Sequence, residues 1–102
     1  RYGEWEKLSS LWCVSEYPTP IDRLQLRNIR GSLMAGFSDH SGNITTGMIA
    51  VAAGARILEA HIRLNDTEES NPDYGHSLRC EGVPVPEFKA YVDNVRFVER
   101  ML

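Results

Sequence analysis

Three short apolar runs alternate with two stretches carrying helical signals, and this alternation restricts the fold more than any other feature of the chain. The runs are SSLWCVS (9–15), SLMAGFS (32–38) and ARILEAHI (55–62). Short apolar runs bounded by turn residues read as buried strands. YPTP follows the first, and its two prolines cannot continue a strand. Thr19 then fits an N-cap, with Pro20 at the first helical position and Asp22 in the first turn. Leu24, Leu26 and Ile29 supply an apolar side, and Gly31 is a stop. The small-residue segment ITTGMIAVAAGA (44–55) predicts a second helix ending near Gly54. Strands alternating with helices imply parallel βαβ units with right-handed crossovers. The expected fold class is α/β, with three parallel strands.

The stretch RLNDTEESNPDYGHSLRCEGVPV (63–85) reads as a long polar loop, a kind that in compact domains is usually functional or disordered. A last helix is expected from Pro86, with Phe88, Tyr91, Val92, Val95 and Val98 forming a one-sided apolar stripe. At 102 residues the chain reads as one unit over 1–102, and its 42% hydrophobic and 25% charged content is that of a globular domain. A net charge of −3 gives no basic field for nucleic acid. No apolar run approaches the roughly 18–20 residues of a membrane span. Cys13 and Cys80 are too few for a disulfide framework, and they read as free thiols in a reducing, cytoplasmic compartment.

Side chains alternate across a strand, so residues two apart share a face. That groups Cys13, Ser15 and, on an extended path, Tyr17; then Gly36, Ser38 and His40; then Ile57, Glu59 and His61. Each strand thus turns polar on one side toward its C-terminal end, where parallel α/β sheets bind their ligands. Neighbouring strands lie about 4.8 Å apart, so His40 and His61 could share a divalent ion and leave positions open for water or substrate. The plain alternative is two rim histidines with no ion between them. A Ser38–Asp39–His40 triad fails on geometry, because Asp39 points away from both neighbours. Asp39 is expected instead to cap the following turn or helix. Ser38 satisfies backbone at a strand end or donates to a phosphate oxygen.

CVSEYPTP, GFSDHSG, VAAGARILEAHI, NPDYGHSL and PEFKAYV, in this order and spacing, resemble the N-acetylneuraminate (sialic acid) synthase family, which includes relatives making legionaminic and pseudaminic acids. The resemblance implies a (β/α)8 TIM barrel of which this chain is the C-terminal portion, equivalent to strands six to eight. It implies condensation of phosphoenolpyruvate with an N-acyl aminosugar such as N-acetylmannosamine, giving a nine-carbon 2-keto acid and phosphate. It also implies a divalent metal, commonly manganese, held by His40 and His61. Ser38 matches a contact to the phosphoenolpyruvate phosphate, and Ser15, Tyr17 and Asp73 match contacts to the sugar. Glu59 matches a glutamate that binds substrate or supports the site. The family's lysine is Ala60 here, its Gly and His in the loop are Asn71 and Tyr74, and its His before Cys13 is Trp12. By parity Trp12 packs against helices, and Tyr74 and His76 are expected in an exposed loop, with contact to substrate as the alternative. A full barrel takes roughly 250 residues. The family's phosphate-binding lysines precede the region matched here, so the chain alone is expected to be inactive and the complete enzyme to be a homodimer. Two other outcomes fit the same motifs: a noncatalytic remnant that keeps sugar or metal binding, and a legionaminic or pseudaminic acid synthase.

Overall fold

The three apolar runs do form parallel strands. A computed structural model describes residues 8–102. In it β1 (Leu11–Trp12), β2 (Gly36–Asp39) and β3 (Ile57–Ala60) make one parallel sheet in the order β1-β2-β3. Trp12, Phe37 and Leu58 stand in register as one row across it. That row faces the helices. Phe37 is fully buried and packs with Leu24, Leu26, Ile29, Ala50 and Ala55, while Trp12, Ala53 and Leu58 close the edge of the cluster. Burying a ring of this size contributes about 1.5–3 kcal/mol. The Trp12 indole donates to the Leu24 carbonyl at 2.9 Å, as its position on the helix side requires.

The ladder of β1 stops at Trp12 rather than reaching residue 15, because the chain turns there: the Glu16 N–H donates to the Val14 carbonyl at 2.8 Å. The α-helix expected after Thr19 does not form. Two 3-10 turns, Ile21–Arg23 and Leu26–Ile29, replace it, separated by Gln25 in the left-handed region at φ 51°. The reason lies in the spacing of the apolar residues. Leu24 and Leu26 are two apart, which on an α-helix sets them about 200° apart. A continuous helix would expose one of them; the break lets Leu24, Leu26 and Ile29 all reach the core. Nor does Thr19 cap a helix. It is buried, its hydroxyl donates back to the Glu16 carbonyl at 2.6 Å, and its N–H donates to the His40 carbonyl at 2.9 Å. The segment after β1, including the cis Tyr17–Pro18 peptide, is thereby fastened to the end of β2.

Two α-helices appear near their expected places. The first, α1 (Thr46–Ala52), follows a turn in which Asn43 Oδ1 accepts from the Thr45 N–H at 2.8 Å, and Gly54 ends that segment at φ 113°. The second, α2 (Glu87–Glu99), starts directly after Pro86. Gly47 of α1 lies against Tyr91 of α2 so closely that a Cβ there would sit 2.4 Å from the ring.

Past Ala60 the chain runs through His61 into β4 (Ile62–Arg63), which pairs in parallel with β5 (Leu78–Arg79). The Leu78 N–H donates to the His61 carbonyl at 2.8 Å and the Cys80 N–H to the Arg63 carbonyl at 3.1 Å. The stretch 63–85 is therefore not one unbroken loop. The parallel strands are more than the three expected, because a two-residue strand is too short to show a period in sequence.

Candidate functional site

The registered pairs Ser38–Glu59 and Asp39–Ala60 put His40 and His61 next to one another at the C-terminal ends of β2 and β3. Their ring centroids are 5.7 Å apart. Parity holds for the whole group: Ser38, His40, Glu59 and His61 gather on the face opposite Phe37. Ser38 Oγ donates to Glu59 Oε1 at 2.5 Å and lies 3.2 Å from His40 Nε2. His40 Nδ1 is 2.8 Å from the Val14 carbonyl, which can only accept, so Nδ1 carries a proton and donates it. One serine hydroxyl proton thus stands between a carboxylate and an imidazole, and the short contact assigns it to Glu59.

Three further side chains converge on this row. The Tyr17 ring sits 4.4 Å from His40 and 5.0 Å from His76. Asp73 reaches both remaining histidines, with Oδ2 3.6 Å from His61 Nδ1 and Oδ1 3.5 Å from His76 Nε2. His76, expected in an exposed loop, is instead buried, 3% accessible, and its ring is 4.7 Å from that of His61. Although Asp73 lies within ion-pair range of His76 Nε2, the alignment makes no hydrogen bond, and this buried nitrogen has no partner among the described residues. Burial first, then the adjacent His61 imidazole, hold His76 below the ordinary histidine pKa, against the opposing pull of Asp73.

Of the residues singled out in the sequence, the structure therefore brings together Ser38, His40, Glu59, His61, Tyr17 and Asp73. Ser15 is exposed at a bend and makes no side-chain hydrogen bond among the described residues. His76, for which the sequence favours an exposed loop over substrate contact, joins them as a buried member. Its one signal is the Asp-x-x-His spacing in NPDYGH, which a single helical turn, Tyr74–His76, converts into proximity.

The surroundings fix these groups in place. Asp39, buried at the start of α1, accepts from the Ser41 N–H at 2.9 Å, the Ser41 hydroxyl at 2.6 Å, the Thr46 hydroxyl, and the Tyr91 hydroxyl at 2.7 Å. It organises the turn after β2, as expected, and ties α2 to that turn as well. Burial and then the Asp39 carboxylate push the Tyr91 phenol pKa up, keeping it a donor. The segment bearing His76 is clamped by Arg63, which donates to the Ser77 carbonyl at 2.5 Å and to Glu87 Oε1 at 3.2 Å and lies over the Tyr74 ring. Gly42 at φ 64° lets the turn after β2 press on the His76 backbone, where a Cβ would be 3.2 Å from Cα. An apolar groove lies elsewhere, between α1, β3 and α2, with a volume of about 590 Å³. None of Ser38, His40, Glu59, His61, Asp73 and His76 lines it.

The donors present suit a divalent cation: three imidazoles, of which His76 has an unpartnered buried nitrogen, and a carboxylate. Comparison with known proteins identifies the family. The model of the NeuB family matches residues 2–102. A pseudaminic acid synthase of Campylobacter jejuni is 39% identical over 97 residues, covering 90% of this chain and 26% of its own. The N-acetylneuraminate-9-phosphate synthase of Homo sapiens is 35% identical over 98 residues, covering 90% and 26%. The crystal structure of an N-acetylneuraminic acid (sialic acid) synthetase from Leptospira borgpetersenii, in complex with citrate, superimposes with a TM-score of 0.64 at 28% identity. That match covers 89% of this chain and 32% of the other. The chain spans about a quarter of the length of the curated relatives it matches.

Proposed function

Because the chain belongs to the NeuB family, we propose that it is the C-terminal part of the catalytic barrel of a sialic-acid-type synthase. The reaction is condensation of phosphoenolpyruvate with an N-acyl aminosugar aldehyde, yielding a 2-keto acid and phosphate. The observation that carries this reading is the registered row Ser38–Glu59 and His40–His61 on one face at the C-terminal ends of parallel strands, joined there by Tyr17 and Asp73.

His40 and His61 are the residues that the family pattern sets on the divalent cation. Such an ion, bound at this rim, supplies Lewis acidity to an aldehyde oxygen. The enol carbon of phosphoenolpyruvate attacks the aldehyde carbon, water adds at C2, and the tetrahedral adduct collapses with loss of phosphate. Ser38 donates to a phosphate oxygen in this scheme, so its proton must leave Glu59, where it rests in the structure at 2.5 Å. Glu59 and His40 flank that hydroxyl and fix its direction. Tyr17 and Asp73, both more than half exposed, face outward where a sugar would approach.

Phosphate needs more positive charge than these residues offer. Lys89, the one lysine among the described residues, pairs with Asp93 at 2.6 Å, and Arg63 is committed to Ser77 and Glu87. The missing cations therefore come from other parts of a barrel, and turnover belongs to the complete protein, a homodimer in the cytoplasm. Both described cysteines are free, in keeping with a reducing compartment, and no described helix is long and apolar enough to cross a membrane. The same shortage of cations supports a second reading, a noncatalytic remnant that keeps sugar or metal binding. The test is phosphate release from phosphoenolpyruvate by the full-length protein, with a panel of N-acetylmannosamine and the diacetamido-sugar precursors of legionaminic and pseudaminic acids. Metal-dependent release with one of them is expected, and loss of it in His61→Ala. Retained activity in that variant rejects the assignment, and no release with any sugar favours the remnant.

A further inference from the structure

The geometry points to Arg63 as a positioning residue that fixes how Asp73 is presented and so governs which aminosugar the site admits. The inference rests on Asp73 as a sugar contact. Arg63 belongs to β4 and has no part in the reaction itself. Its guanidinium spans the single helical turn Tyr74–His76. At one end it lies over the Tyr74 ring, 4.8 Å from the centroid, and at the other Nη1 donates to the Ser77 carbonyl at 2.5 Å. Asp73 is the residue from which this turn starts.

The turn holds itself poorly. A three-residue 3-10 segment has strained hydrogen-bond geometry. Here its backbone bonds are long, 3.3 Å from the His76 N–H to the Asp73 carbonyl and 3.5 Å from the Ser77 N–H to the Tyr74 carbonyl. The Ser77 hydroxyl adds a bond to the Tyr74 carbonyl at 2.9 Å, and the charged Arg63 donor supplies the shortest contact. The Asp73 carboxylate is more than half exposed and stands 3.5–3.6 Å from its two imidazole neighbours, so its position is inherited from the turn.

The other side of the guanidinium is anchored independently. Nη2 donates to Glu87 Oε1 at 3.2 Å, and the same oxygen accepts from the Arg79 N–H at 2.9 Å. Glu87 is the first residue of α2, so Arg63 references the turn to β4, β5 and that helix together. An arginine near a phosphate site can bind the anion itself, but both terminal nitrogens of Arg63 already have acceptors within the fold. Stacking and two directed hydrogen bonds at once require a planar fork, which lysine lacks. A site that hydrogen-bonds particular substrate groups rejects analogues lacking them, and that selectivity depends on where the carboxylate is held.

The test uses the full-length protein carrying Arg63→Met or Arg63→Lys, with two readouts. Hydrogen–deuterium exchange without substrates, read by mass spectrometry, is expected to rise over residues 71–77 in both variants and to stay unchanged over α1. Kinetics with N-acetylmannosamine and the diacetamido-sugars should show KM for the preferred sugar raised about tenfold, with kcat and KM for phosphoenolpyruvate within about twofold. Discrimination among the sugars should narrow. Unchanged sugar KM overturns the proposal, as does an equal rise in KM for phosphoenolpyruvate, which would mean direct anion contact. Full rescue by Arg63→Lys also overturns it, because charge alone would then suffice. Should Arg63→Met fail to fold, the nearly isosteric Glu87→Gln at an exposed position decides, with a smaller rise in sugar KM expected and no rise overturning the role. A wild type that turns over none of the sugars, with exchange rising as expected in the variants, counts against the reaction and leaves the hold of Arg63 on the turn standing. Unchanged exchange removes that hold whatever the kinetics.

Discussion

Asp39 is the residue on which the site most depends without belonging to it. Its two oxygens accept from Ser41, Thr46 and Tyr91 in a buried setting, so Asp39→Ala removes the acceptor of three hydroxyls and a backbone N–H together. A loss on the order of 3 kcal/mol is expected in urea denaturation, with a smaller one for the isosteric Asp39→Asn. His76 carries a prediction of opposite character. Its pKa is depressed in the fold, so below about pH 6.5 the unfolded chain takes up a proton that the folded chain resists. Unfolded protein then binds more protons than native, and stability falls as pH drops through that window. Above it both states are neutral and the residue contributes no pH dependence. Denaturation midpoints in chelator at pH 7.5 and 5.5 should differ less in His76→Gln than in the wild type; an equal difference removes His76 as the cause.

At the level of elements, the contact between α1 and α2 depends on a glycine. Gly47→Ala ordinarily favours a helix by about 0.5–1 kcal/mol. Here the added methyl meets the Tyr91 ring at 2.4 Å, and overpacking of this kind costs about 1–3 kcal/mol. A net loss of thermal stability is expected for Gly47→Ala, while Gly75→Ala, with nothing within 4 Å of its Cβ, should be close to neutral. The same elements show what a sequence can and cannot reveal. The strands were legible because Phe37 and Leu58 had to face a core while Ser38, Glu59 and the histidines could not; period two then sorts the side chains by itself. The first helix was misleading because Pro20 and Asp22 are good local helix signals, yet Leu24, Leu26 and Ile29 could not all be buried from one helical cylinder. Tertiary burial overrode the local signal. β5 escaped notice because two residues carry no pattern, and the burial of His76 because its segment is held by Arg63 and Glu87, contacts made across the chain.

Taken whole, the molecule leaves apolar surface uncovered on both sides of its sheet. Ile57 and Ile62 are 42% and 50% exposed, and the groove between the two helices is lined by Val51, Leu58, Phe88, Val92 and Val95. Surfaces of this kind mark interfaces or association. Under the barrel reading the remainder of the enzyme covers them. The chain expressed by itself is then expected to self-associate and bind a hydrophobic dye, as light scattering and fluorescence would show, and the full-length protein is not. A monodisperse, dye-silent monomer would count against the barrel. One further consequence follows from the pairing of β4 with β5. The excursion that leaves at Arg63 and returns at Leu78 is pinned at both feet by a backbone ladder, and its returning foot brings Asp73 and His76. A change of length within residues 66–70 therefore leaves the ladder that positions Asp73 and His76 in place.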